Sequence, residues 1–416
     1  MPTTESGVTA LELERVESTL AVLFERDDPF YSTIEKRPGE RVSSTAMRMP
    51  LELRPGGISG HFNSDGGDLG LGDMPTYDKA TVSTVEIIHR IEWTTRRKWA
   101  TDNSRKAVLD AFRRDLVSAM KEFRRFNESL CMTAGNGVFG VVTSVANSGG
   151  VDYITCSTDG FGVRLMRFGS NVVIWNSTLT VMRGAGNNRV TFYDGPNKVI
   201  GIAALGTIIP GDLVVAGDLT SGTPASIQGV PYHASNASTG LWLTFNRATT
   251  PEVRANRVAA GGALALPMPR LLFNKIGDRT GQMMNRKVVA WMHPCQRQAY
   301  EELGQEAIQI NKAGKEEGLD LYFNDNMRLA GAPLKTSFSW DKTRIDAVDM
   351  DVYGRAEFEP VQWYKDENGN RYFVRRGVSG GIAASNLAYI VASWNMYVTN
   401  PAAIGYIDTL SVPSGY

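Results

Sequence analysis

The chain has 416 residues, room for two or three hydrophobic cores at the usual domain size. Its 44 Lys and Arg balance its 44 Asp and Glu, which excludes a global charge excess that would draw it onto DNA or an anionic membrane. Three cysteines, Cys131, Cys156 and Cys295, are too few and too far apart for a disulfide framework, and no run approaches the roughly 20 apolar residues that span a bilayer.

Residues 1–45 read as an arm. Leu13, Val16, Leu20 and Leu23 recur at helical spacing, and Asp27-Asp28-Pro29 stops the pattern. No secretory pattern follows Met1, and the arm is short. Over 46–80 the pattern predicts a long projecting β-hairpin. Met47 to Leu53 goes out as a strand, and Arg54-Pro55-Gly56-Gly57 breaks it. The tip is rich in Gly and Asp, including Asp65, Asp68 and Asp73, with Ile58, Phe62, Leu69, Leu71 and Met74 scattered among them. Such a segment cannot fill a core. Ala80 to Trp93 then returns as a half-buried strand, alternating Val85, Ile87, Ile91 and Trp93 with charged residues.

The most distinctive element lies within 81–137. Val108, Phe112, Leu116, Met120, Phe123, Phe126 and Leu130 form one stripe on a helix predicted over 103–133, a rod of about 45 Å. Arg113, Arg114, Arg124 and Arg125 fall on its charged face, which suits solvent or a neighbouring subunit better than a DNA groove because acids are interspersed. Gly135-Asn136-Gly137 ends the element. Residues 138–262 are rich in Gly, Asn, Ser and Thr around short β-prone runs at 171–175, 189–193, 212–216 and 241–245, predicting an inserted barrel or sandwich. From Ala263 the pattern is mixed. Lys287 to Met292 reads as a buried strand, and Pro294 opens a helix towards Asn311. Asp366-Glu367-Asn368-Gly369 predicts a hairpin joining 361–364 to 371–374. The apolar run Leu387 to Val398 fits a central strand or a buried helix.

No arrangement of these residues carries catalytic chemistry. His61, His89, His233 and His293 are scattered and form no zinc pattern, and no GxSxG, phosphate loop or dinucleotide fingerprint is present. Asn63-Ser64-Asp65 with Asp68 and Asp73 lacks the regular spacing and terminal glutamate of a calcium loop. The expectation is no catalytic residues, no metal and no cofactor.

The order of these pieces carries a family resemblance: arm, glycine-rich loop, long strand, spine helix, Gly135-Asn136-Gly137, then Val288-Val289-Ala290-Trp291-Met292-His293-Pro294. It resembles major capsid proteins of tailed bacteriophages with the Hong Kong 97-type (HK-97-like) fold. Met327 to Leu334 is similar to the family's short segment looping back to proline, and Leu387 to Val391 followed by Asn400 to Leu410 is similar to its terminal element. The resemblance implies an α+β fold with an extension loop at 46–80, a peripheral domain at 81–137 built on the spine helix, and an insertion at 138–262. An axial domain would follow at 263–386, and residues 387–416 would return a strand to the peripheral domain.

It also implies a shell protein of the virion, assembled in the host bacterial cytoplasm into hexamers and pentamers around double-stranded DNA without sequence-specific contacts. Ile58, Phe62, Asp65, Asp68, Leu71 and Asp73 would meet the neighbouring subunit. Between Arg54 and Asp78 there is no lysine for a covalent cross-link, so the lattice is expected to be non-covalent. The further partners implied are a separate scaffolding protein, unless assembly proceeds without one, a portal and a decoration protein, with no membrane. An encapsulin-like nanocompartment subunit is the first alternative. A β-rich carbohydrate-binding or hydrolytic protein is the second, and it leaves the spine helix and hairpin unexplained.

Overall fold

The computed structural model describes residues 28–34, 41–43, 46–54, 71–94, 109–157, 166–217, 224–281, 287–309, 328–365, 373–376 and 382–415, with a few single positions between them. The predicted arm helix, Val108, Ile58, Phe62, Asp65 and Asp68 lie outside them, as do the side chains of Phe112, Arg113, Arg114 and Leu116. The chain divides into two compact units. One comprises Met1–Asp28, Glu86–Asn127 and Phe358–Trp394, and the other comprises Pro29–Val85, Glu128–Glu357 and Asn395–Tyr416.

The first unit contains most of the long helix, Leu109–Leu130, and a sheet centred on the strand Ile382–Val398. That 17-residue strand settles the ambiguous apolar run as β. Val85–Thr94, Tyr353–Trp363 and Phe373–Arg376 all pair with it. The hairpin predicted around Gly369 is therefore incorrect: its two runs do not pair with each other but each pairs with Ile382–Val398. A strand of that length offers more apolar partner surface than two short runs offer one another.

The second unit is built on a six-stranded sheet in the order Asn256–Gly262, Gly405–Leu410, Ile345–Asp349, Val288–Met292, Ala332–Thr336, Arg328–Leu329. Its central strands are almost wholly buried, Val288–Met292 as a continuous apolar run and Ile345–Asp349 with both of its aspartates buried. The helix Pro267–Thr280 packs Leu272, Phe273 and Ile276 into this core. Proline sits in its first turn and Gly281, at φ 66°, closes it. The segment looping back to proline is a tight hairpin, Arg328–Leu329 against Ala332–Thr336, turned through Ala330 and Gly331 at φ 49° and 97°.

Two expected boundaries shift. Seven strands between Val138 and Ala216 form one sheet, in the order Met182–Arg189, Asn171–Trp175, Leu213–Ala216, Val138–Ser148, Val151–Cys156, Val199–Ala203, Phe192–Asp194. Asn256–Gly262, predicted inside the 138–262 module, instead pairs in parallel with Gly405–Leu410 in the other sheet. The strand expected to return to the peripheral domain after Val398 is that same Gly405–Leu410, placed in the six-stranded sheet of the second unit. Within the module, the run at 189–193 breaks at Val190 into two strands. The run at 241–245 folds as a two-residue hairpin, Leu241–Trp242 on Phe245–Asn246, with Leu243 at φ 53°.

Candidate assembly surface

The predicted hairpin forms, with different bounds for its return strand. Ala46–Arg54 pairs antiparallel with Thr76–Ser83, from Ala46 opposite Ser83 to Arg54 opposite Thr76. The single return strand predicted from Ala80 to Trp93 is two strands, broken at Thr84, and its second half, Val85–Thr94, pairs elsewhere. The alternating pattern continues through the break, which is why periodicity alone runs the two together.

Pairing puts Met47 opposite Val82 and Met49 opposite Ala80, and all four are buried. Beyond Pro50 the strands lose this support. Asn395 fixes the base, its amide donating to the Ser83 carbonyl at 2.6 Å while its Oδ1 accepts from the Gln228 N–H at 2.9 Å. Arg54 and Glu252 form an exposed ion pair at 3.4 Å that contributes little. The Gly57 N–H donates to the Asp73 carbonyl at 2.9 Å, closing the ladder past the last strand residues.

The distal segment presents large apolar side chains to solvent. Leu71 is 93% exposed, Met74 84% and Tyr77 67%. Asp73 lies exposed between them, its Oδ1 accepting from the Met74 N–H at 2.9 Å. Three large exposed side chains thus lie within seven residues. Of the predicted contact residues, Leu71 and Asp73 are described, and both are exposed. Among the described residues, no group of three or more His, Cys, Asp or Glu is placed to hold a metal ion.

The spine helix ends at Leu130, three residues earlier than expected, where Thr133 turns back to the Leu130 carbonyl through both its N–H and its hydroxyl. Gly135 and Gly137 then take φ of 87° and 68°. Phe123 and Leu130 are core residues and Met120 is half-buried. Arg125 corrects the charged-face expectation: it is only 8% exposed, with Nη1 3.0 Å from Glu122 Oε1. Arg124 does face solvent, paired with Asp28 at 2.8 Å.

The last helical turn is buried on every side because its polar groups have partners. Asn127 donates to the Phe123 carbonyl at 2.9 Å and accepts from Trp394 Nε1 at 2.8 Å. His89, on the strand Val85–Thr94, lies 6.0 Å from the Phe123 ring; burial lowers its pKa, against the pull of Glu122. His233 is fully buried, its Nδ1 accepting from Trp242 Nε1 at 3.1 Å and its Nε2 3.3 Å from the Met396 carbonyl. Burial pushes its pKa down to about 3, so the imidazole is neutral and structural.

Sequence reasoning missed Glu128, which is completely buried. It also missed the carboxylates that brace the seven-stranded sheet. Asp212 takes Arg183 in a bidentate pair at 3.0 and 3.1 Å, and Asp152 accepts from Asn147 and from the Leu205 and Gly206 N–H groups. A lone acid in a sequence gives no signal of burial.

No model of a protein family matches the sequence, and no curated protein matches it. Among solved structures, the chain is similar to one in the capsid asymmetric unit of cyanophage A-1(L), with 14% identity over 97% of this chain and 99% of that one and a TM-score of 0.58. A chain of the native GTA particle capsid follows at 12% identity, 99% coverage of both chains and a TM-score of 0.47. The capsid of cyanophage P-SCSP1u gives 9% identity, 99% and 97% coverage and a TM-score of 0.45. The fold is that of the A-1(L) chain, matched from end to end.

Proposed function

We propose that this chain is a major capsid protein of the HK-97-like type, assembling with copies of itself into hexamers and pentamers of an icosahedral shell around double-stranded DNA. The observation that carries the reading is the end-to-end match to the A-1(L) capsid chain. In this reading the hairpin Ala46–Ser83 is the extension loop, and Leu71, Met74 and Asp73 on it meet a neighbouring copy. Ile58, Phe62, Asp65 and Asp68 belong to the same contact. The unit holding the spine helix is the peripheral domain, the six-stranded sheet is the axial domain, and the seven-stranded sheet from Val138 to Ala216 is the insertion.

The role is structural rather than catalytic. Scaffolding, portal and decoration proteins are the partners such a shell calls for, and its place is the virion after assembly in the bacterial cytoplasm. Electron microscopy of the protein purified from an expressing bacterium tests this. Closed icosahedral shells of phage-head size support the reading. Small shells filled with protein cargo favour the nanocompartment alternative, and dispersed monomers under all assembly conditions overturn both.

A further inference from the structure

In the sequence the turn Pro29–Thr33 marks only the place where the arm stops. It is a five-residue helix with Phe30, Tyr31 and Ile34 buried. So short a helix cannot hold itself together, because nucleation outweighs the few bonds that it gains. Its first N–H groups need an acceptor, usually the side chain of the preceding residue. Asp28 occupies that position but pairs with Arg124.

Glu128, at the far end of the spine helix in sequence, supplies the acceptor. Its Oε2 accepts from the Tyr31 N–H at 2.6 Å, and Oε1 lies 3.4 Å from the Phe30 nitrogen. The Phe30 ring enters an aromatic cage, edge-on to Trp291 at 5.1 Å, Trp340 at 5.2 Å and Tyr353 at 6.5 Å. Arg355 covers the Tyr31 ring at 4.4 Å and donates to the Tyr31 carbonyl at 3.3 Å.

The receptor is held in shape by contacts that do not involve the segment. Trp291 and Trp340 stack on each other at 5.5 Å, and Trp340 Nε1 donates to Asp346, which is itself paired with Arg344 at 2.7 Å. Trp291 belongs to a central strand of the six-stranded sheet. Glu128 also accepts from the Ser337 hydroxyl at 2.8 Å.

We infer that Phe30–Ile34 is a detachable clasp: the aromatic cage and Glu128 form a preformed binding site for this chain's own aromatic segment, which releases and rebinds while the six-stranded sheet stays folded. The clasp holds for the dispersed subunit whether or not the chain builds shells, so its failure and that of the capsid reading are separable.

Hydrogen exchange of the full-length dispersed protein, read by mass spectrometry, tests the clasp. Peptides covering Phe30–Ile34 are compared with those covering Val288–Met292 and Ile345–Asp349. In the wild type the clasp amides exchange more slowly than a free peptide yet at least about 100-fold faster than the central strands, as a locally opening unit does. Glu128→Gln replaces charge-assisted acceptors with weaker neutral ones and accelerates clasp exchange by about tenfold or more, leaving the central strands unchanged. Phe30→Ala does the same by emptying the cage. Clasp exchange at the free-peptide rate in the wild type, or at the rate of the central strands, overturns the inference. So does equal acceleration of clasp and central strands in both variants.

Discussion

Replacing Leu71 and Met74 together by Ser separates assembly from folding. In the isolated chain both side chains are almost fully bare, at 93% and 84% exposure, so the native fold gains little from either. Surface substitutions of this kind stay within about 0.5 kcal/mol each. Two of them therefore move the melting temperature by a few degrees at most. If a neighbouring copy buries both, each contributes about 1.5–3 kcal/mol to that contact. The pair then loses about 3–6 kcal/mol per contact, a factor of roughly 10² to 10⁴ in the association constant. Sedimentation velocity and electron microscopy of the variant should show folded subunits or small oligomers in place of closed shells, and circular dichroism should show a near-normal melt. Normal shells at the wild-type threshold concentration would refute the assembly role. A collapsed melting transition would refute it differently, by showing that the two residues pack within their own chain.

Other outcomes follow from burial. Phe123→Ala, at a completely buried position on the spine helix, should cost about 3–5 kcal/mol in chemical denaturation and leave much of the protein insoluble. Arg125→Glu sets a second acid beside Glu122 in a buried position and should destabilise by more than about 1 kcal/mol, whereas Arg124→Glu, at an exposed pair, should stay within about 1 kcal/mol; equal melts for the two would contradict the assignment of faces. His233 gives a pH signature. Its folded pKa of about 3 lies below the usual 6.5, so the unfolded chain binds the proton first and stability falls as pH drops below about 6.5. At pH 5 that loss is about 2 kcal/mol, and His233→Gln should flatten the slope by that contribution, while His89, whose shift has the same sign, still contributes. An unchanged slope in the variant would show that His233 is not buried neutral.

Local rules make several parts of this protein legible in its residues alone. The hairpin strand Ala46–Arg54, the helix after Pro294 and the strand Val288–Met292 each announce themselves through periodicity or a turn residue, because those preferences act over a few neighbouring residues. The long helix is legible for the same reason. Which strand pairs with which is not. Asn256–Gly262 looks like the end of the inserted module, and only its parallel register with Gly405–Leu410 makes it the edge of another sheet. The two runs around Gly369 carry good hairpin chemistry, yet Ile382–Val398 outcompetes their mutual pairing. Strand pairing is decided by surfaces far apart in the chain, so local pattern is blind to it.

The same limit applies to the polar residues. In the sequence Arg125 and Glu128 differ in no way from the exposed charges around them. Their burial depends on Glu122 for one and on the N–H of Tyr31, 97 positions away, for the other. The elements were written in the chain itself, since they depend on short-range preference. Which charges are buried, where the seven-stranded sheet ends and what holds the turn at Phe30 were settled only by tertiary packing, since each depends on partners that meet once the chain has folded.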